Sequence, residues 1–104
     1  MIERPNAQRG ETSIVINGQL YPLRPTFTAL VAAEEELASL YVIVDRAAEG
    51  AITLTEIATL LWHCLPDQER PSRENVGEAV IKMGLLEATK PMRKILSQVL
   101  QGYA

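Results

Sequence analysis

The dipeptide Asn17-Gly18 separates two short runs of apolar residues near the start of the chain. Both residues tolerate the positive φ angles of a type I′ turn, and this turn joins two antiparallel strands. The first run places Ile14 and Ile16 on one face of a strand, and the returning run covers residues 19–23. A lone two-stranded hairpin is marginal in water, so this hairpin must pack on helices or join another chain's sheet.

The returning strand contains Pro22, which has no N–H group to donate. A proline in a central strand would remove one hydrogen bond from the ladder. We therefore expect this strand to be short or to lie at the edge of a sheet.

The length of 104 residues suits a single domain with one modest core. Residues 1–10 are mostly polar, and we expect them to form a flexible N-terminal tail. Residues 11–104 then form one domain. Hydrophobic residues make up 47% of the chain but aromatic residues only 5%, which predicts a core of Leu, Ile, Val and Ala side chains in helices.

Apolar residues recur at helical spacing in several segments after the hairpin. Capping residues and breakers predict where these helices begin and end. The expected helices run from about 27 to 38, 40 to 49, 54 to 65, 73 to 83, and from the turn containing Pro91 to Gly102, with 85–89 as a short connection. The predicted fold class is therefore α+β, an N-terminal β-hairpin followed by four to five short α-helices, with the third helix at the centre.

Catalytic and metal-binding patterns are not evident in the sequence. His63 is the single histidine and is predicted to lie on the polar, solvent-exposed side of the third helix. Cys64 is the single cysteine and lies on the apolar side, as a small buried hydrophobe would. Because these two neighbours point in different directions, they cannot form a zinc site by themselves. We expect no enzyme activity, no small-molecule substrate, no cofactor and no metal.

The net charge of -3 weakens a nucleic-acid function, because phosphate binding needs a clustered basic surface. The connection 66–71 is long for a helix-turn-helix motif. The helix after it has too many acidic residues for a helix that recognises DNA. No apolar run approaches the roughly 20 residues that span a bilayer. We expect a cytoplasmic protein with no membrane segment.

The first predicted helix places Glu34 among apolar positions. A carboxylate on an apolar face is unfavourable unless it is paired. Glu34 can bond Arg24, Arg46 or a free N–H of the hairpin at the rim of the core. Alternatively, it faces a basic or N–H group of a partner protein, which makes it a candidate partner-binding residue.

Trp62 lies at the edge of the apolar arc of the third helix. A tryptophan in that position is a core residue in most proteins, but a partly exposed one anchors partners well. We expect Trp62, Leu61 and Leu65 to line one side of a groove that binds a partner. Together with Glu34 they are the predicted partner-binding residues.

The order of these elements resembles the small tail protein of gene transfer agents, a family related to phage tail assembly proteins. The resemblance covers about Gly10 to Gly102, and the matching segments are the Asn17-Gly18 hairpin, Leu23-Arg24-Pro25-Thr26-Phe27-Thr28-Ala29-Leu30, Glu34, Leu54-Thr55-Glu56-Ile57, Asn75-Val76-Gly77-Glu78-Ala79 and Gly84 before the last helix. The chain departs from related sequences at Ala38-Ser39 and Pro66-Asp67, where they tend to have glycine.

The resemblance implies a protein that takes part in building a phage-like tail. A tail assembly chaperone would bind the tape-measure protein until tube subunits polymerise around it. A structural tube component would self-assemble and become part of the particle. Known tail tubes use extended β-sandwich sheets, so a mostly helical chain with one hairpin favours the chaperone. A small DNA-associated regulatory protein is the third alternative.

Overall fold

Residues 12–102 are described by a computed structural model, so the predicted tail at residues 1–10 lies outside the described residues. Two strands are followed by five helices, which confirms the α+β class. The elements are β1 (Thr12–Ile16), β2 (Gln19–Leu23), α1 (Phe27–Glu36), α2 (Leu40–Ala48), α3 (Leu54–His63), α4 (Arg73–Met83) and α5 (Leu85–Gln101).

The hairpin forms where the sequence predicts it. Asn17 and Gly18 have φ angles of 53° and 78°, the positive values of a type I′ turn. Strands β1 and β2 are antiparallel, and Ile16 pairs with Gln19 across the turn. One face of the hairpin is buried, and β1 packs against α4 and α5. The hairpin is thus supported by helices of its own chain.

Side-chain caps fix the starts of the first four helices. Thr26, Ser39, Thr53 and Ser72 each accept the backbone N–H of the residue three positions later. At α3 the cap is reciprocal, because Glu56 also accepts the N–H of Thr53 at 2.9 Å. This is the predicted capping box.

Helix α3 is the centre of the core, as predicted, and it contacts α1, α4 and α5. Ile57, Leu60 and Leu61 are at most 1% exposed. The polar side of this helix is also buried, since Glu56 is 8% and Thr59 is 6% exposed. The expectation that this side faces solvent was wrong, because Arg46 of α2 pairs with Glu56 and Glu36 of α1 bonds His63.

Three helix boundaries differ from the predictions by two residues or more, and the first is the end of α3, at His63 rather than at residue 65. Helix α1 ends at Glu36 rather than at residue 38. Helix α5 begins at Leu85, so the predicted connection is helical and Pro91 lies inside the helix rather than in its first turn. Pro91 removes one helical hydrogen bond, but burial of its ring and of Ala88 on the same face of α5 favours the continuous helix.

Candidate protein-binding surface

An open groove of about 570 Å³ lies between the hairpin turn and the C-terminal half of α4. Its apolar lining includes Val15, which is 56% exposed, and Ile81, which is 64% exposed. The groove exists because β1 packs on α4 while the outward side chain of Val15 points away from the core. The full lining is Val15, Asn17, Gly18, Glu78, Ala79, Ile81, Lys82 and Met83.

Further exposed apolar side chains belong to residues next to those that line the groove. Leu20, 47% exposed, is the cross-strand partner of Val15, so the two side chains lie on the same outward face of the hairpin. Leu85 follows Met83 and Gly84 at the start of α5 and is 52% exposed. Neighbouring exposed apolar side chains, such as Val15 and Leu20, are typical of protein-binding sites.

The polar part of the groove carries one charge of each sign. Glu78 and Lys82 are one turn apart on α4, and neither has an ion-pair partner within the described residues. Both charges are therefore available to a bound segment. An apolar floor with a few charges at its rim can hold an amphipathic helix.

Trp62 lies on a different part of the surface and is half-buried. Its indole N–H donates to the backbone oxygen of Pro71 at 2.9 Å. The guanidinium groups of Arg70 and Arg73 lie 4.4 and 4.3 Å from the centre of its ring. The chain's own loop and arginines thus occupy the indole, which leaves little of it for a partner.

Glu36 connects three helices next to this tryptophan. Its carboxylate pairs with Arg73, whose Nη2 donates to Oε1 at 2.7 Å, and Nε2 of His63 donates to the same oxygen at 2.9 Å. The hydrogen bonds from Arg73 and then His63 lower the pKa of Glu36 to about 2. The same contact raises the pKa of Arg73. The His63 side chain is 10% exposed, so the prediction that it faces solvent was wrong.

Two of the four predicted partner-binding residues lie in the core. Leu61 is 0% and Leu65 is 3% exposed, so a partner cannot touch them in this conformation. Glu34 is exposed, and its Oε2 accepts the backbone N–H of Leu40 at 2.8 Å. Glu34 thus bonds an N–H of α2 rather than one of the hairpin, and Arg46 instead pairs with Glu56 at 3.2 Å. A partner-binding role for these four residues stays a prediction.

The structure brings together residues that the sequence could not connect. Alternation along β1 and helical spacing on α4 show that Val15 and Ile81 point outward, but only the packing of β1 on α4 makes them neighbours. The ion pair of Glu36 and Arg73 spans 37 positions of the chain. No local pattern links two residues so far apart.

Cys64 is buried as predicted, at 1% exposure, and burial raises the pKa of its thiol to about 12. Among the described residues, no cluster of His, Cys, Asp and Glu side chains could hold a metal ion. Within residues 12–102, no helix is both long enough and apolar enough to cross a membrane.

No curated protein and no solved structure matches the chain. A family model described as phage tail tube protein, GTA-gp10, matches residues 9–102, which is most of the sequence. The chain therefore belongs to this phage tail protein family of gene transfer agents.

Proposed function

We propose that this protein is a tail assembly chaperone that binds an apolar segment of the tape-measure protein before the tail tube forms. The observation that carries the proposal is the open groove between the hairpin and α4, with Val15 and Ile81 more than half exposed. A partner that covers such side chains removes their apolar surface from water, which favours binding. A tape-measure protein is long and needs cover until tube subunits surround it.

The groove suits a helical segment better than an extended strand. Its walls are side chains of one strand and one helix, so a bound helix can lay an apolar stripe against Val15 and Ile81. Lys82 and Glu78 at the rim can pair with opposite charges on that helix. The expected ligand is therefore an amphipathic helix with mixed charges on its flanks.

The alternative is a structural tube component, and the description of the matching family favours it. Such a subunit would self-assemble into rings or longer polymers. The described residues contain one two-stranded sheet, whereas a tube of the β-sandwich type needs extended sheets. This difference supports the chaperone over the tube subunit.

Co-expression with the tape-measure and tube proteins of the same gene cluster, followed by affinity capture, tests the proposal. We expect the tape-measure protein to be captured in soluble form and Ile81→Glu to abolish the capture. Phe27→Glu is the matched control, since Phe27 is 84% exposed but does not line the groove. The control should capture as well as the parent protein, and both variants should keep the parent's circular dichroism.

Two results would overturn the chaperone proposal. Capture of tube protein alone, or self-assembly into rings of many subunits by light scattering, would favour the structural tube component. Capture that survives Ile81→Glu would remove the groove from the mechanism.

A further inference from the structure

A second apolar surface lies on another side of the molecule, where α2 packs against α5. A cavity of about 250 Å³ opens between these helices. Its apolar lining includes Val44 and Ala48 from α2 and Leu100 from α5, which is 50% exposed. The charged residue in its lining is Arg93.

Helix α2 extends this surface with an aromatic residue. Tyr41 is 75% exposed and precedes Val44 by three residues and Ala48 by seven. At 3.6 residues per turn these three side chains lie on one face of α2. Exposed tyrosines on an apolar face are common anchors of protein interfaces.

Helix α5 carries a matching stripe. Leu86, Arg93 and Leu100 are seven residues apart and so follow one another along the same side of the helix. Leu86 is 80% and Leu100 is 50% exposed. The spacing is that of a helix which packs along a second helix.

The surface residues of the two helices beside this cavity carry charges of opposite sign. Arg93, like its neighbour Lys94, has no ion pair within the described residues. On α2, the side chain of Asp45 is exposed and is likewise without an ion-pair partner in residues 12–102, as is that of Glu49 just after the helix. The surface therefore has an acidic border on α2 and a basic border on α5.

We propose that a second copy of this chain covers this surface, so that the protein forms a symmetric dimer. A two-fold axis along the groove places α2 of each copy over α5 of the other. The acidic border of one copy then meets the basic border of its partner twice, and the apolar stripes are buried between them. This dimer goes beyond the proposed function, because it uses another face and leaves the groove beside α4 open.

The test uses two variants whose defects should cancel when they are mixed. In the double variant Arg93→Glu, Lys94→Glu, the border on α5 becomes acidic and repels α2 of the other copy. In the double variant Asp45→Lys, Glu49→Lys, the border on α2 becomes basic and repels α5. Each variant alone should weaken the dimer by about tenfold or more, because like charges then face each other at both contacts.

A mixture of the two variants should form a heterodimer with opposite charges at both contacts. Sedimentation equilibrium of each variant, the mixture and the parent protein measures these affinities. Lys82→Glu is the control, because Lys82 is unpaired within the described residues but lies beside the other groove. It should dimerise as the parent does, and circular dichroism should show the same helix content in every variant.

Three results would overturn the proposal: a parent protein that stays monomeric at about 100 µM, well above the Kd of a weak specific dimer; a dimer unaffected by the double change Arg93→Glu, Lys94→Glu; or a mixture that associates no better than its components. Loss of the dimer together with retained capture of the tape-measure protein would support the dimer and leave the chaperone proposal standing.

Discussion

Glu36 and Arg73 form an ion pair that ties the last turn of α1 to the first turn of α4. Each charge is badly placed in its own helix, because the helix dipole disfavours an acid at the C-terminal end and a base at the N-terminal end. Paired across the two helices, each charge offsets the unfavourable field at the other. The contact also holds His63 and the loop beside Trp62 in place.

The pH dependence of stability should report this contact. The folded pKa of Glu36 is about 2, against an ordinary value of 4.5. The ionised Glu36 carboxylate therefore makes its full contribution to the free energy of unfolding above pH 4.5. This contribution is lost as the pH falls towards 2. In Glu36→Gln this part of the acid sensitivity should be absent, so that the melting temperature falls less between these two pH values.

Thermal melts from neutral to acid pH measure this difference. Glu35→Gln is the matched control, since Glu35 is the exposed neighbour in the same helix. It should show the parent's acid sensitivity. A Glu36→Gln variant with an acid profile parallel to that of the parent would contradict the assignment.

Trp62 should be important for stability. Removal of the indole in Trp62→Ala loses its packing, its hydrogen bond to Pro71 and both arginine contacts, and should lower the free energy of unfolding by about 3 kcal/mol. Trp62→Phe keeps an aromatic ring and should lose about 1 kcal/mol, the usual value of one hydrogen bond. Urea denaturation followed by circular dichroism measures both. If Trp62→Ala keeps the stability of the parent protein but no longer binds the tape-measure protein, the indole is a binding anchor instead.

Glu34 should act as a cap for α2. Its carboxylate accepts the N–H of Leu40, one of the first N–H groups of that helix, which have no partner within the helix. Glu34→Ala should lower the free energy of unfolding by about 1 kcal/mol, and Glu34→Gln by less, because an amide oxygen can still accept. Equal unfolding midpoints for Glu34→Ala and the parent in urea would show that the contact has no energetic weight.

The thiol of Cys64 should resist chemical labelling in the folded protein. It is 1% exposed and its pKa is about 12, so thiolate is scarce and inaccessible at pH 8. Labelling with a disulfide reagent should be slow in buffer and fast in urea. Labelling in buffer at the rate of the unfolded protein would mean that the junction of α1 and α3 opens readily.

Local signals in the sequence were sufficient for most of the fold. The Asn17-Gly18 turn and the capping box of Thr53 and Glu56 each depend on neighbouring residues, and both form as predicted. The predicted start of α5 was wrong, because a proline by itself is a strong signal for a helix boundary. Only the buried packing around Pro91 reveals that the helix continues through it.

The candidate surfaces depend on tertiary packing and were therefore harder to predict. The acidic run 34–36 is unusual at a helix C-terminus, and its explanation lies in other elements: Glu34 caps α2 and Glu36 binds Arg73. Trp62 and Leu61 follow each other in α3, yet one reaches the surface and the other is fully buried. Sequence spacing gives the direction of a side chain but not what covers it.

The position of Pro22 limits how copies of this protein can associate. Ile16 and Gln19 close the two-residue turn as a hydrogen-bonded pair, so alternation makes Ser13 and Pro22 a pair without mutual hydrogen bonds. The nitrogen of Pro22 thus points away from β1, where a third strand would seek a donor. An incoming strand would find a gap in the ladder at this edge, which protects β2 against amyloid-like growth. Larger assemblies of this chain should therefore not be built by adding strands beside β2.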